Sequence, residues 1–291
     1  MPPLNSCRVM KIHFYLRFST KFGQSLLVSG NVDALGNDNL SKALPLSYFD
    51  NELWYGVIEV DDAVLINYKY VLINEDGSKT VEGETERFID LSKNKSPEII
   101  LIDTWNHAGN FENVFYTQPF SKLLASKNSV ALKNKSPKIF THEFRVKAPL
   151  LQQDEVIFIT GSAIALNKWD VQTPLLLKPD GDWHTIKLNL INETFSVEYK
   201  YGIYNLKDKS IVNLEPGNSR FLFGDIIKNK TTISHDGFVQ LPRTWKGAGV
   251  AIPGFSLRSQ DSFGVGKFTD SKLVIDWAKH NVLKLLQLLP G

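Results

Sequence analysis

The sequence predicts a mainly β protein: two tandem immunoglobulin-like β-sandwich domains followed by a short strand–helix–strand unit. Three observations predict it. Four sequence blocks recur in the same order, the recurring segments have the composition of β-strands, and the pattern of the chain changes after about residue 242. The 291 residues are enough for two or three compact domains of the usual ~100–200 residues each.

An internal duplication is the strongest of these observations. Gly30 and Gly161 are 131 residues apart, and so are Lys69 and Lys200. The matching blocks are LLVSGNVDALGNDN (26–39) with IFITGSAIALNKWD (157–170), ELWYGVIEV (52–60) with DWHTIKLNL (182–190), INYKYVLINEDG (66–77) with VEYKYGIYNLKD (197–208), and VEGETERF (81–88) with LEPGNSRF (214–221). A nearly constant offset over four blocks indicates one domain that is present twice.

Each copy has the local signals of an all-β domain. VLINYKYVLI and FSVEYKYGIY are rich in β-branched and aromatic residues, which suit a pleated, half-buried surface. Asp76-Gly77 and Asp180-Gly181 provide turns between such segments. Short strands at regular spacing predict a sandwich. We expect the first sandwich at residues 8–118, a Ser-, Lys- and Asn-rich linker at 119–138, and the second sandwich at 139–236.

Residues 237–291 have a different pattern. VAIPGFSLRS predicts a buried strand, TDSKLVIDWAKHN a helix and VLKLLQLLP a second strand. Thr269 or Asp270 can cap the helix. Its apolar face is predicted to hold Leu273, Val274, Trp277 and Ala278. This βαβ order is typical of a parallel sheet, and a closed barrel of such units takes about 250 residues. We therefore expect the incomplete opening of a TIM barrel, whose exposed apolar surface favours self-association.

Composition argues against several function classes. The formal net charge is +2, from 33 basic and 31 acidic residues, so neither nucleic acid nor a membrane surface is an expected partner. Cys7 is the only cysteine, and the six histidines lack metal-ligand spacing, so we expect no disulfide, metal or other cofactor. The first eight residues show no apolar signal core. A cytoplasmic protein is the expectation.

The motifs of the second copy resemble the starch-binding domain of carbohydrate-binding module family 20. The resemblance rests on TGSAIALNKWD, EYKY and LEPGNSR. It implies that a glucose ring stacks on Trp169 and that Lys200 contributes to the site. The same motifs add Glu215, Asn218 and Ser219 in the loop before the closing arginine. Trp169 lies among polar residues, where burial is hard to explain, whereas Lys200 is equally consistent with a solvated strand lysine.

The first copy departs from that family pattern. It keeps Lys69 but has Asp38 where the second copy has Trp169, and Val81 at the position of a second aromatic residue. Leu214 occupies that second aromatic position in the second copy. Trp54 and Trp183 are weaker candidates, because both lie within strand-like segments where core packing is the simpler interpretation. The first copy is therefore expected to bind sugar weakly or not at all.

The segment WKGAGVAIPGFSLRSQDSFGVGKFTDSKLVIDWAKHNVLKLLQLLP resembles the opening of glycoside hydrolase family 77, the 4-α-glucanotransferases, of the cytosolic disproportionating-enzyme type. That resemblance implies a retaining reaction in which one carboxylate attacks the sugar and a second acts as acid and base. We expect those carboxylates on later barrel strands, so no catalytic residue is assigned and the chain alone should be inactive. Ser256, Arg258 and Phe263 are candidates for lining the glucan channel.

Taken together, these patterns predict an α-1,4-glucan-binding segment of a 4-α-glucanotransferase, with starch, glycogen or maltooligosaccharides as partners. The alternative is a non-catalytic β-sandwich scaffold for protein association or dimerisation. The two hypotheses differ at Trp169, because sugar binding requires an exposed, flat ring and a scaffold does not.

Overall fold

The computed structural model describes residues 9–61, 65–83, 87–94, 96–118, 120–121, 137, 139–222, 230–260 and 268–289. The chain divides into two compact units, Met1–Leu241 and Pro242–Gly291. No helix in the described part of the chain is long and apolar enough to span a membrane. The prediction of a mainly β protein is confirmed.

Within its described residues, the first unit contains two successive sets of nine strands. The first set, called the first module, consists of β1 (Val9–Arg17), β2 (Ser25–Gly30), β3 (Leu44–Pro45), β4 (Ser47–Tyr48), β5 (Leu53–Asp61), β6 (Leu65–Ile73), β7 (Lys79–Val81), β8 (Arg87–Asp90) and β9 (Glu98–Thr104). The second module consists of β10 (His142–Lys147), β11 (Glu155–Gly161), β12 (Leu175–Leu176), β13 (Lys178–Asp180), β14 (Trp183–Leu188), β15 (Val197–Asn205), β16 (Ser210–Leu214), β17 (Arg220–Leu222) and β18 (Lys230–Phe238).

Alternation of apolar and polar residues explains the strands. Along β1, Ile12, Phe14 and Leu16 are fully buried, whereas the residues between them are partly exposed. Successive side chains of a strand point to opposite faces, so this pattern gives β1 one core face and one outer face.

Each module has a small sheet of its own, and the strand order is the same in both. It is β3-β2-β6-β7 in the first module, with β8 on β6, and β12-β11-β15-β16 in the second, with β17 on β15. The remaining strands form a single eight-stranded sheet, β13-β14-β10-β18-β9-β1-β5-β4. Parallel pairing of β9 with β18 joins the two halves of this sheet. Of the predicted linker, residues 119, 122–136 and 138 lie outside the described residues.

The two modules cover opposite faces of the shared sheet. Ile233 of β18 is buried in the core of the first module, while Ile102 of β9 packs against the core of the second. Ile233 pairs with Leu101, so Ile102 points to the other face. Each central strand therefore places an apolar side chain in or against the core of the other module, and the modules cannot part without exposing these side chains.

The second unit contains β19 (Gly249–Pro253), helix α1 (Ser271–His280) and β20 (Leu285–Leu289), and β19 pairs with β20 in parallel. The predicted strand–helix–strand unit is thus present. The predicted apolar helix face is only partly buried: Ala278 is 7% exposed, but Leu273 and Trp277 are 62% and 51% exposed. Asp270 occupies the cap position without a side-chain cap bond; its carboxylate accepts from Ser259 Oγ at 2.6 Å instead.

Candidate functional site

The loop after β11 holds Trp169 at the surface of the second module. The 3-10 turn Ile164–Trp169 follows the strand, and Trp169 is 37% exposed. Its backbone φ is 64°, the last of three consecutive left-handed residues. Few non-glycine residues adopt this conformation, and such strain concentrates at binding sites. The exposure that sugar stacking requires is present.

Specific contacts hold this loop in place. Leu166 is fully buried beneath it, and its carbonyl oxygen accepts a bond of 3.4 Å from Thr160 Oγ1 of β11. Asn167 opens the left-handed stretch and donates through Nδ2 to Thr173 O at 2.6 Å. Asparagine tolerates the left-handed region well, so it lowers the cost of the turn that presents Trp169.

Lys200 braces a second loop rather than projecting freely into solvent. It lies directly across from Thr160 in the β11–β15 register, so both side chains share one face of the sheet. Lys200 Nζ donates to Gly217 O at 2.6 Å and to Glu215 O at 3.3 Å. An ammonium group has three donors, so these two bonds leave a donor for a ligand. Thr160 therefore contacts the turn of Trp169 and Lys200 contacts the loop of residues 215–219 from paired positions on neighbouring strands.

Glu215 is a correction to the sequence-based site, because its carboxylate is not accessible. The residue is 5% exposed, and its Oε1 and Oε2 accept from Arg220 Nη2 at 2.7 Å and Nε at 3.0 Å. The same oxygens also accept from the backbone N–H groups of Gln240 and Tyr201. A buried carboxylate must be paired in this way. Of the other predicted residues in this loop, Asn218 is exposed and Ser219 half-buried.

Below this loop lies a buried group that sequence reasoning missed, here called the second polar centre: Tyr199, Tyr201, Arg220, Asp236 and Glu215. Asp236 Oδ2 accepts from the hydroxyls of Tyr199 at 2.9 Å and Tyr201 at 2.7 Å. Burial would raise the pKa of Asp236, but attraction to Arg17 and Arg220 outweighs it and lowers the pKa. The alternating tyrosines of EYKY were visible in the sequence, whereas nothing local distinguished Asp236 from a surface aspartate.

The first module keeps the backbone of the site but lacks the ring. Asp38 is exposed with φ of 62° and follows Gly36 and Asn37, which are also left-handed. Lys69 pairs with Ser29 across β2 and β6, as Lys200 does with Thr160. Without an aromatic face this turn offers no platform for a sugar.

The two weaker tryptophan candidates differ in burial: Trp54 is buried, and Trp183 is half-buried. Trp54 is 8% exposed and packs edge-on against Tyr48, with ring centroids 5.8 Å apart. Trp183 packs against His235 and beneath Lys147 Nζ, which is 5.0 Å from the ring centroid. The core interpretation explains Trp54, whereas Trp183 remains a partly exposed candidate.

The remaining candidates belong to the second unit. Ser256 is exposed at the turn after β19 and donates through Oγ to Pro253 O at 2.7 Å. Arg258 is exposed, next to the buried Leu257. Phe263 lies outside the described residues.

Exposed aromatic rings in the first module were also missed. Phe22 is 99% exposed in the turn between β1 and β2, and Phe49 is 58% exposed. Phe49 packs on Tyr15, with ring centroids 5.6 Å apart, and Tyr15 on Tyr55 at 4.8 Å. The sequence contained the signal for Phe22, a ring among polar residues in STKFGQS. This is the same criterion that selected Trp169.

Comparison with known proteins identifies similarities along the chain. Residues 9–99 match the family described as starch binding domain. The chain is 30% identical over 303 aligned residues to 4-alpha-glucanotransferase DPE2 of Oryza sativa subsp. japonica, an alignment that covers 98% of this chain and 32% of the rice protein. This chain therefore spans about a third of that relative.

Two glucoamylases show more local similarity. The glucoamylase of Neurospora crassa is 31% identical over 98 residues, covering 32% of this chain and 16% of the fungal protein. The solved family 15 glucoamylase of Hypocrea jecorina is 30% identical, covering 34% of this chain and 17% of that chain, with a TM-score of 0.30.

Among the described residues no group of three or more His, Cys, Asp or Glu could hold a metal ion.

Proposed function

We propose that the whole chain, of which residues 9–99 match the starch-binding domain family, is an α-1,4-glucan-binding segment whose principal sugar site lies on the second module. The observation that carries this proposal is Trp169, an exposed ring in a strained turn that the contacts of Leu166 and Asn167 hold in place. A pyranose presents a face of C–H groups, and a flat indole matches it.

Polar groups beside the ring would fix the orientation of the sugar. Lys200 retains a donor, and Asn218 is exposed in the loop that Lys200 braces. A single stacking ring with a few hydrogen bonds supports binding roughly in the micromolar-to-millimolar range. Longer glucans gain if they reach a second surface of the same protein.

We further propose that this segment serves a 4-α-glucanotransferase. Similarity to the rice protein over 98% of this chain supports that assignment, as does the parallel strand–helix–strand unit at its end. In this proposal the segment captures the glucan. Ser256 and Arg258 then line part of the glucan channel of the transferase. The exposed apolar side chains of α1 instead favour the scaffold alternative, in which this surface mediates association.

Calorimetric titration with maltoheptaose and with β-cyclodextrin tests the glucan site. We expect saturable binding by the wild type and at least a tenfold loss in Trp169→Ala, since the stacking face is removed. Phe88→Ala is the matched control, because Phe88 is also an exposed ring, at 58%, but lies on β8 of the first module. Unchanged affinity in a folded Trp169→Ala protein would refute the proposed site, and absence of binding by the wild type at millimolar sugar would favour the scaffold.

A further inference from the structure

We propose that Arg17, in the first module, is a positioning residue for the sugar-binding loop of the second module. It would act through Asp236, Arg220 and Glu215, and the inference rests on the proposed glucan function. Arg17 ends β1, and its guanidinium crosses to the other module, where Nη1 donates to Asp236 Oδ1 at 2.8 Å. Its Nη2 lies 3.5 Å from Phe221 O, next to Arg220 on β17.

With Arg17 in place, the carboxylate of Asp236 is fully paired. Its Oδ1 accepts from Arg17 and from Ser234 Oγ at 2.7 Å, while its Oδ2 accepts from the two tyrosine hydroxyls of the second polar centre. The side chain of Asp236 is fully buried. A buried carboxylate requires a compensating charge, and Arg17 supplies it from the neighbouring module.

Arg220 is thereby left to hold the sugar-binding loop. It pairs with both oxygens of Glu215, and its Nη1 donates to the main-chain oxygen of Asp236 at 2.7 Å. Glu215 is the first residue of the loop, and its carbonyl accepts from Lys200. A continuous series of bonds therefore runs from Arg17 to the base of the segment that carries Asn218 and Ser219.

The equivalent group in the first module shows what a weaker crossing partner does. There Asp103 accepts from the hydroxyls of Tyr68 and Tyr70, and its crossing partner is His235, with Nδ1 2.5 Å from Oδ1. Arg87 pairs with Glu82, but its Nη1 also lies 3.5 Å from the carboxylate of Asp103. Where the crossing residue is not a permanent cation, the module's own arginine is shared between the two carboxylates.

Removal of Arg17 should therefore draw Arg220 toward the carboxylate of Asp236 and loosen its pair with Glu215. We expect Arg17→Met to weaken maltoheptaose binding about fivefold to tenfold, on the scale of coupling between neighbouring polar groups. Amide hydrogen exchange of residues 215–219 should become faster in the sugar-free protein. Arg17→Lys, which restores the positive charge, should recover most of both properties.

Lys147→Met is the matched control. Lys147 occupies the last position of β10, as Arg17 does of β1, but its Nζ lies among the rings of Tyr116, Trp183 and Phe238. Its loss should disturb the unit without accelerating exchange in residues 215–219. If Arg17 contributed only to general stability, Arg17→Met and Lys147→Met would both accelerate amide exchange throughout the unit, with no preference for residues 215–219.

Wild-type affinity and wild-type exchange at residues 215–219 in folded Arg17→Met would overturn the proposal. If that variant does not fold, Arg17→Gln replaces it, because glutamine keeps a donor toward Asp236 without the charge. Wild-type amide exchange of residues 215–219 in Arg17→Gln would also overturn the proposal. Failure of the proposed glucan site is distinguishable from failure of this inference. In the first case Trp169→Ala would leave sugar binding unchanged. The effect of Arg17 on amide exchange is measured without sugar and is therefore tested separately.

Discussion

Asp103 of β9 lies beside His235 of β18, not beside Asp236, its counterpart in the second module. The two aspartates are therefore offset by one residue in the β9–β18 pairing. Because neighbouring residues of a strand point to opposite faces, Asp103 faces the core of the first module and Asp236 the core of the second. Each aspartate then receives a partner from the other module, His235 in one case and Arg17 in the other.

The first prediction concerns Ile233, which belongs to the second module in sequence but is buried, at 4% exposure, in the core of the first. Ile233→Ala should lower the free energy of unfolding by about 2–4 kcal/mol, through lost burial and a residual cavity. Urea denaturation gives this value, and hydrogen exchange of β6 reports the effect on the first module. Ile211→Ala, at a 36% exposed position of β16, is the control and should change stability little. Destabilisation confined to the second module would contradict the shared core.

The second prediction concerns acid stability. Burial lowers the pKa of His142 and of His184 to about 4 each, so the folded state favours their neutral forms. The unfolded chain takes up protons as the pH falls below about 6.5, and stability is lost from there down to the folded pKa. By pH 5 the loss should be on the order of 2 kcal/mol for each histidine.

Urea titrations at pH 7.5 and pH 5.0 measure this loss, and His142→Gln should flatten the dependence. His142 stacks on Phe144 and Phe195, so the variant is expected to be less stable at both values. An equal loss between pH 7.5 and 5.0 in wild type and variant would show that His142 does not contribute.

The third prediction concerns the site that the first module lacks. Asp38 has φ of 62°, within two degrees of Trp169, so its turn can accept the same ring. Asp38→Trp should add a second, weak sugar site and raise the stoichiometry of β-cyclodextrin binding from one toward two. Asp38→Ala serves as the control for loss of the carboxylate. If the tryptophan variant binds with unchanged stoichiometry, the backbone and Lys69 are not sufficient for a site.

The sequence predicted that Trp169 is exposed, and the structure shows that exposure. Trp169 is exposed because Asn167, Lys168 and Asp170 surround it with polar groups, and a ring among polar neighbours has no core to enter. Glu215 was misplaced because a carboxylate in a loop motif is compatible with ligand binding and with an internal ion pair. Only its position beside Arg220 and Tyr201 distinguishes the two.

By itself the sequence determined the β-strands, the duplication and the exposed tryptophan, since these depend on spacing along the chain and on the local polarity of a turn. Tertiary structure alone decided that β9 and β18 pair and that Arg17 reaches Asp236. It also decided that Ile233 enters the core of the first module and that Ile102 packs against the core of the second. These contacts join residues more than a hundred positions apart. Their energy depends on register and on which charges become buried together, and no short segment of the chain carries that information.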